Sequence, residues 1–417
     1  MRCTVIERWS FGLILLAAGL AHGQLLTPAW VEYGDNGRVL ARVIVSSQTC
    51  PAITVDGAAQ SMTLRQPVPA DFKPVCEFAL PAAARTASIG GQALHLPVAE
   101  PATIVVLGDT GCRIKNDQIQ DCYDPAKWPF QAVAQSAASS HPDLIIHVGD
   151  YLYRETVCPI DAKDKCGGTT IGDNWDTWNA DFFAPAAKLL AAAPWAFSRG
   201  NHEDCKRAWQ GWFYYLDPRP WTNQCAEYSA PYVVHAGTRQ LVMFDSSATT
   251  EDALDPDQVA HYTAQLASLH VVHAWLIDHH PFWGVTPGSN KKQSVRPLSA
   301  PLQAAWEKST PTGIDMVLSG HVHMFAVIPF AESRPLQIIA GDGGTALAGP
   351  IRESIDGTVL QGNAVRGSQI RVEFGYTILR KSSSGAWDLM LESTSNAPIV
   401  HCALREGKAA CGSGSGQ

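Results

Sequence analysis

Hydrophobic and polar positions along the 417-residue chain change rhythm near residue 100. Before that point, short apolar runs at Val39–Val45 and Ile53–Val55 are broken by the turn residues Gly34-Asp35-Asn36-Gly37 and Asp56-Gly57, the pattern of strands and tight turns. No helix-period stretch appears there, so residues 24–98 are expected to form a small all-β, sandwich-like domain. From Thr103 the texture differs. Apolar runs at Ile104–Leu107, Leu144–Val148, Trp195–Ser198, Leu241–Phe244, Val271–Ile277, Ile314–Leu318 and Leu336–Ile339 alternate with polar segments, and helices are predicted over Pro129–Ser139 and Thr177–Ala193. Continuous apolar strands separated by helices mark an α/β domain whose sheets are covered on both faces. Strand alternation returns at Gln369–Leu379 and Ala386–Leu391, so the main domain is expected over residues 99–400, with 401–417 as a C-terminal tail.

The first residues add a destination. Arg2 and Arg8 precede an apolar run of ten, Phe11–Leu20, and Ala21-His22-Gly23 offers small residues for cleavage, so residues 1–23 read as a signal peptide. The run is shorter than the roughly 20 residues a membrane span needs, and no later stretch is long and apolar enough to span. A secreted or periplasmic protein is expected. Cysteine usage agrees. Ten cysteines follow Cys3, as the close neighbours Cys50/Cys76, Cys112/Cys122, Cys158/Cys166, Cys205/Cys225 and Cys402/Cys411. An even number in an exported chain suits disulfides, and sequential pairing is the simplest connectivity. No Cys-x-x-Cys pair supports a zinc site. With 46% hydrophobic and 17% charged residues the chain can bury a large core, which excludes wholesale disorder. A net charge of −8 without long basic runs argues against nucleic-acid or anionic-membrane binding by bulk charge. Any anionic substrate must then be held by local cations or metal.

The chemistry stands at the ends of the apolar runs. Gly108-Asp109-Thr110-Gly111, Gly149-Asp150-Tyr151-Leu152-Tyr153, Arg199-Gly200-Asn201-His202-Glu203, Asp278-His279-His280-Pro281 and Ser319-Gly320-His321-Val322-His323 each follow one. Loops at the carboxyl ends of strands in an open α/β sheet converge on one crevice. A mixture of carboxylate, amide, imidazole and phenol donors suits first-row transition metals. Alone, a Gly-Asp is usually just a turn and an Asn-His or His-His more often a loop or core histidine, with Gly-His-Val-His evenly balanced; in this order and all at strand ends, they read as one site.

The ordered set Gly-Asp-x-Gly, Gly-Asp-x-x-Tyr, Gly-Asn-His-Glu, His-x-Pro and Gly-His-x-His resembles the calcineurin-like metallophosphoesterases. Tyr153 and the Gly341-Asp342-Gly343-Gly344 segment resemble the purple acid phosphatase branch, although Phe282–Lys291 lacks the further histidine usual there. The resemblance covers residues 103 to about 380. It implies a metallophosphoesterase-like sandwich of two mixed β-sheets flanked by helices. It also implies a dinuclear centre of Fe(III) with divalent Fe, Zn or Mn: Asp109, Tyr153 and His323 on the first metal, Asn201, His279 and His321 on the second, Asp150 bridging. Carried over the same way, His202 stabilises the transition state or protonates the leaving alcohol, and His280 is a weaker candidate for that work. The implied activity is hydrolysis of a small phosphomonoester by attack of a metal-bound hydroxide, acid-phosphatase-like. The alternatives are a phosphodiesterase or nucleotidase on the same core, and a non-catalytic binding protein that keeps the fold.

Three arginines, Arg154, Arg199 and Arg207, are candidates to hold a substrate phosphate, with ordinary ion pairing as the rival reading. The aromatics between Trp175 and Tyr215 read as packing rather than a stacking platform. The Cys158–Cys166 segment, following Tyr153 closely, is expected to rim the pocket.

Overall fold

The apolar runs become strands of two sheets packed face to face. The computed structural model describes residues 23–288, 295–332, 334–405 and 407–413; the expected signal peptide lies outside them except for Gly23. In the larger sheet, of eleven strands, Thr103–Leu107, Leu144–His147 and Trp195–Phe197 run parallel side by side. Gly375–Lys381 pairs antiparallel with Thr103–Leu107. In the second sheet, of seven, Arg239–Met243, Ala274–Ile277, Ile314–Ser319 and Leu336–Ala340 are parallel, and Phe325–Ile328 closes antiparallel on the last.

Alternation along the strands explains why the runs carry no polar face. Ile104, Val106, Leu144 and Ile146 pack with Trp275, Ile277, Met316 and Leu318 of the other sheet in one core between the sheets. Val105, Leu107, Ile145 and Phe197 point the other way, into a second core with Phe130, Val133 and the aromatics of 175–221. Leu276 and Val317 face a third core with Tyr262, Leu266 and Leu302. The helix Phe130–Ser139 covers one outer face, and Pro256–Ala267 and Ala300–Ser309 the other. The strands are thus buried on both sides. The sequence reading passed over the last two helices, although Asp255 caps the first by accepting from the amides of Asp257 and Gln258, with Pro256 at the first position; that is an ordinary start signal.

Three expectations are corrected. The helix over Thr177–Ala193 is broken into Trp175–Trp178, a wide turn at Asn179–Phe183 and Ala187–Leu190. Pro185 follows the wide turn, where a missing amide cannot continue the hydrogen-bond ladder. The run Gln369–Leu379 is two strands in different sheets, Gln369–Arg371 and Gly375–Lys381. Over 401–405 and 407–413 the chain forms no tail, and residues 406 and 414–417 lie outside the described residues. Pro398–Arg405 and Lys408–Ser413 are a hairpin at the sheet edge, driven by Val400, Cys402 and Leu404 alternating into the inter-sheet core.

Residues 24–98 form mostly short strands, with one 3-10 turn at Asp35–Gly37. Ala58–Ser61, Ala52–Val55, Ala87–Ile89 and Gln92–Ala93 form a four-stranded sheet. Trp30–Tyr33, Val39–Ile44, Val75–Ala79 and Thr63–Leu64 instead extend the eleven-stranded sheet, joined where Glu32 pairs with Trp195. A core of Val31, Val43, Ile53 and Ile89 lies between the two. Buried Arg42 reaches Glu32 at 2.7 Å and Glu77 at 3.0 Å, while Arg65 donates to the carbonyls of Phe213, Asp217 and Arg219. All five adjacent cysteine pairs are disulfides: Cys50–Cys76, Cys112–Cys122, Cys158–Cys166, Cys205–Cys225 and Cys402–Cys411. Among the described residues no helix is long and apolar enough to cross a membrane.

Candidate metal centre

The parallel strands of both sheets deliver their following loops to one edge of the molecule, and the backbone there is forced. Asp109, Asp150 and His321 have φ of 55°, 62° and 69°, a left-handed region that costs a non-glycine residue on the order of 1–3 kcal/mol. Local bonds hold them. The Asp109 amide donates to Gly149 O at 3.0 Å, and the His321 amide to Asp109 Oδ2 at 2.9 Å. Glu203 staples two loops together, accepting from the amides of Asp150, Tyr151, Leu152 and Gly200 at 2.8 to 3.2 Å. Gly200 must be glycine, because a Cβ there would lie 2.1 Å from Asp150 Oδ1. The sequence reading quoted Glu203 within its motif but gave it no part.

All seven candidate ligands meet at two adjacent points. The Tyr153 hydroxyl lies 2.9 Å from Asp109 Oδ1, 2.7 Å from Asp150 Oδ2 and 2.9 Å from His323 Nε2. Asn201 Oδ1 lies 2.9 Å from His279 Nε2 and 3.0 Å from His321 Nδ1. Asp150 Oδ2 is also 3.2 Å from His279 Nε2, so this carboxylate joins the two groups. Atoms of Asp109, Asp150 and His279, all buried, fall within 4.8 Å of one another, close enough to hold one ion.

The donor set fits cations. His323 gives its Nδ1–H to Ala346 O at 2.7 Å, and His279 gives its Nδ1–H to Val148 O at 2.8 Å. Their Nε2 lone pairs therefore face oxygens. His321 gives its Nε2–H to Glu251 Oε1 at 3.2 Å, which turns its Nδ1 lone pair to Asn201. Outer partners that fix the imidazole tautomer in this way are the usual support of metal-binding histidines. Around Asn201 Oδ1 and Asp150 Oδ2, acceptors are pointed at the acceptors of His279 and His321 and require positive charge between them. Burial opposes charge on His279, yet Asp150 beside it lifts the imidazole to about 9, so its Nε2 draws positive charge, a proton or an ion. Burial, with Asp109 and Asp150 alongside, pushes the Tyr153 phenol well above its ordinary value. Burial also opposes charge on Asp150, but His279 and His202 hold it well below the carboxylate range.

His202 stands beside this cluster. Its ring lies over Tyr153 with centroids 3.9 Å apart, its Nδ1 is 2.6 Å from Glu155 Oε1, and its Nε2 is 3.8 Å from Asp150 Oδ2. Burial lowers its pKa against the pull of Asp150 and Glu155. Glu155 has no motif around it and was not singled out from sequence. His280 is buried over His321 at 4.1 Å and its amide donates to Ser246. It does not line the cavity in front of the cluster. That cavity, about 300 Å³, is lined by Arg113, Lys115, His202, Glu251, Leu298 and Val322 among others.

The three arginines expected to hold phosphate are committed elsewhere. Arg154 pairs with Asp181, Arg199 with Asp245, and Arg207 with Asp204 and Glu155. The Cys158–Cys166 segment lines a separate surface recess with Val157 and Ile171, not the cavity. Trp175, Trp178, Trp212, Phe213, Tyr214 and Tyr215 are buried in the core beside the larger sheet, as packing residues.

Comparison with known proteins places this geometry. The family model for calcineurin-like phosphoesterases matches residues 102–325. No curated protein sequence matches the chain. Among solved structures, a purple acid phosphatase from yellow lupin (Lupinus luteus) seeds aligns with a TM-score of 0.55 at 14% identity, covering 92% of this chain and 74% of that one. PhoD aligns with a TM-score of 0.52 at 11% identity, covering 93% of this chain and 92% of that one. At such identities the likeness is one of fold.

Proposed function

This chain belongs to the calcineurin-like phosphoesterase family, and from that premise we propose that it is an exported phosphomonoesterase working with two metal ions. It is a metal-dependent phosphoester hydrolase; the monoester preference, the ligand assignments, the hydroxide attack and the export are our reading. The observation that carries it is the pair of converging donor groups that share Asp150. Asp109, Tyr153 and His323 would hold one ion, Asn201, His279 and His321 the other, and Asp150 both. When bound, such a pair neutralises phosphoryl charge and brings the pKa of water toward about 7.

The chain's own residues supply the rest. Glu203 keeps the Asp150 and Asn201 loops in register. Glu251, Val148 O and Ala346 O keep the three imidazoles turned toward the cluster. His202, lining the cavity with Glu155 behind it, is positioned to give a proton to the departing alcohol. Leu298 and Val322 form an apolar wall for the leaving group. The yellow lupin neighbour is a purple acid phosphatase, and Tyr153 supports iron(III) as one ion, since a phenolate favours it.

Metal analysis of the purified protein, with turnover of nitrophenyl phosphate against bis-nitrophenyl phosphate, tests the reading. Two metal equivalents and a strong monoester preference are expected. A preference for the diester would move the assignment to phosphodiesterase, and metal-loaded protein inert on both would leave a binding protein.

A further inference from the structure

Among the described residues, Arg113 and Lys115 line the cavity, and Arg207 and Arg296 beside it are paired with Glu155 and Glu251. Lys115 Nζ lies 3.3 Å from Glu155, and Arg207 pairs with Asp204 at 3.1 Å and Glu155 at 3.5 Å. Arg113 makes no ion pair with any described carboxylate. Its Nη1 donates to the neutral Gln118 Oε1 at 2.6 Å, its Nη2 is 3.5 Å from His323 Nε2, and its buried Nε has no partner. The guanidinium lies 5.2 Å from the centroid of the Tyr153 ring. It therefore faces the metal-binding cluster from the cavity side. Asp109, on that side of the cluster, has its oxygens engaged by the Tyr153 hydroxyl and the His321 amide.

A guanidinium is charged at every working pH and offers parallel donors that match oxyanions. Leaving it half-buried without an anion forfeits those bonds; a phosphate is the anion the cavity is built to admit. Its backbone is fixed in advance. Arg113 directly follows Cys112 of the Cys112–Cys122 disulfide and opens the hairpin of Ile114–Lys115 with Gln118–Ile119, and its own amide donates to Gln120 Oε1 at 3.0 Å. Little ordering remains for binding, which favours affinity.

We propose that Arg113 binds the scissile phosphoryl group and sets the preference for monoesters over diesters. The inference rests on the phosphoesterase reading above. A monoester carries three terminal oxygens and up to two negative charges; a diester carries two oxygens and one charge. With two oxygens turned to the metal-binding cluster, only the monoester keeps one for Arg113.

The test uses the full, metal-loaded protein with Arg113→Gln and Arg113→Lys. Three measurements are made on each: metal content, affinity for inorganic phosphate by calorimetry, and kcat/KM for nitrophenyl phosphate and bis-nitrophenyl phosphate. Arg113→Gln is expected to keep its metal, weaken phosphate binding and monoester kcat/KM by about 10- to 100-fold, the worth of a charged hydrogen bond, and change diester turnover by less than about 3-fold. Arg113→Lys, which keeps the charge but loses the fork, falls between. Equal losses on both esters, or unchanged phosphate affinity, overturn the proposal. Metal lost in step with phosphate binding also overturns it, assigning Arg113 to the support of His323. If wild-type protein hydrolyses neither ester, the functional reading fails, and phosphate affinity still decides the role of Arg113.

Discussion

Glu155 Oε1 lies 2.6 Å from His202 Nδ1, and the other ring nitrogen, Nε2, is the one on the Asp150 side at 3.8 Å. The close carboxylate occupies the Nδ1 side of the ring and leaves Nε2 on the Asp150 side. His202→Ala is expected to retain metal and lower kcat by about 10²–10⁴-fold, the range for a positioned acid or base. The loss shrinks for good leaving groups such as nitrophenol, which need little protonation. Glu155→Gln is expected to lower kcat about 10-fold through the same imidazole. Combined, the two substitutions cost no more than His202→Ala alone. Additive losses in the double variant would show that Glu155 acts separately.

Asp150 is the one residue common to both donor groups. Asp150→Asn replaces a shared charge with a neutral amide and is expected to remove both metals and at least about 10³-fold of the hydrolysis. Elemental analysis decides: two metals per chain with near-normal turnover would refute the bridging assignment.

Tyr153 tests the identity of the first metal. Its phenol is held neutral by burial and two carboxylates, so ionisation needs a strongly charged ion at that point. Protein purified with ferric iron is expected to be coloured, and Tyr153→Phe to abolish the visible band while leaving the melting temperature within a few degrees. An unchanged spectrum in the variant would exclude a phenolate ligand.

Away from the site, Asp173 sets a pH dependence. Burial raises its carboxyl to about 6, although it accepts from Trp178 Nε1 and the amides of Gln210 and Gly211. A folded-state pKa above the unfolded value means that the stabilisation is fully present below pH of about 4 and is lost as the pH rises through about 6. The stability of wild type relative to Asp173→Asn is expected to fall by about 1–3 kcal/mol between pH 4 and 7. Urea unfolding at both pH values measures it, and a relative stability that grows with pH would contradict the direction.

The site was largely legible because each motif directly follows an apolar run, so that strand, loop and ligand are contiguous in sequence. Arg113 and Glu155 were not. Each sits outside any motif, and what selects them is spatial: Arg113 has no ion pair, and Glu155 meets His202 from 47 positions away. The arginines that looked suitable, Arg154, Arg199 and Arg207, have carboxylate partners that no local pattern discloses. The same limit applies to the fold. Turn residues announced the strands of 24–98, but the pairing of Glu32 with Trp195 spans most of two hundred residues, and register at that range is decided by burial in three dimensions. The single helix expected over Thr177–Ala193 failed for a nearer reason, since one proline, Pro185, outweighs a helical composition.

The stretch matched by the family, 102–325, contains every candidate ligand, yet it is not a unit that could be excised. Its strands of five, four and three residues, Thr103–Leu107, Leu144–His147 and Trp195–Phe197, are flanked by Gly375–Lys381 on one side and Trp30–Tyr33 on the other. Cut at the family's bounds, it would bare both edges of this platform, and the Ile314–Ser319 edge of the second sheet with them, each a template for association with other chains. During synthesis, likewise, the platform beneath the ligand loops stays open until residue 381 has emerged. Metal uptake that needs the assembled site is therefore expected to be a late event, one that follows the making of nearly the whole polypeptide.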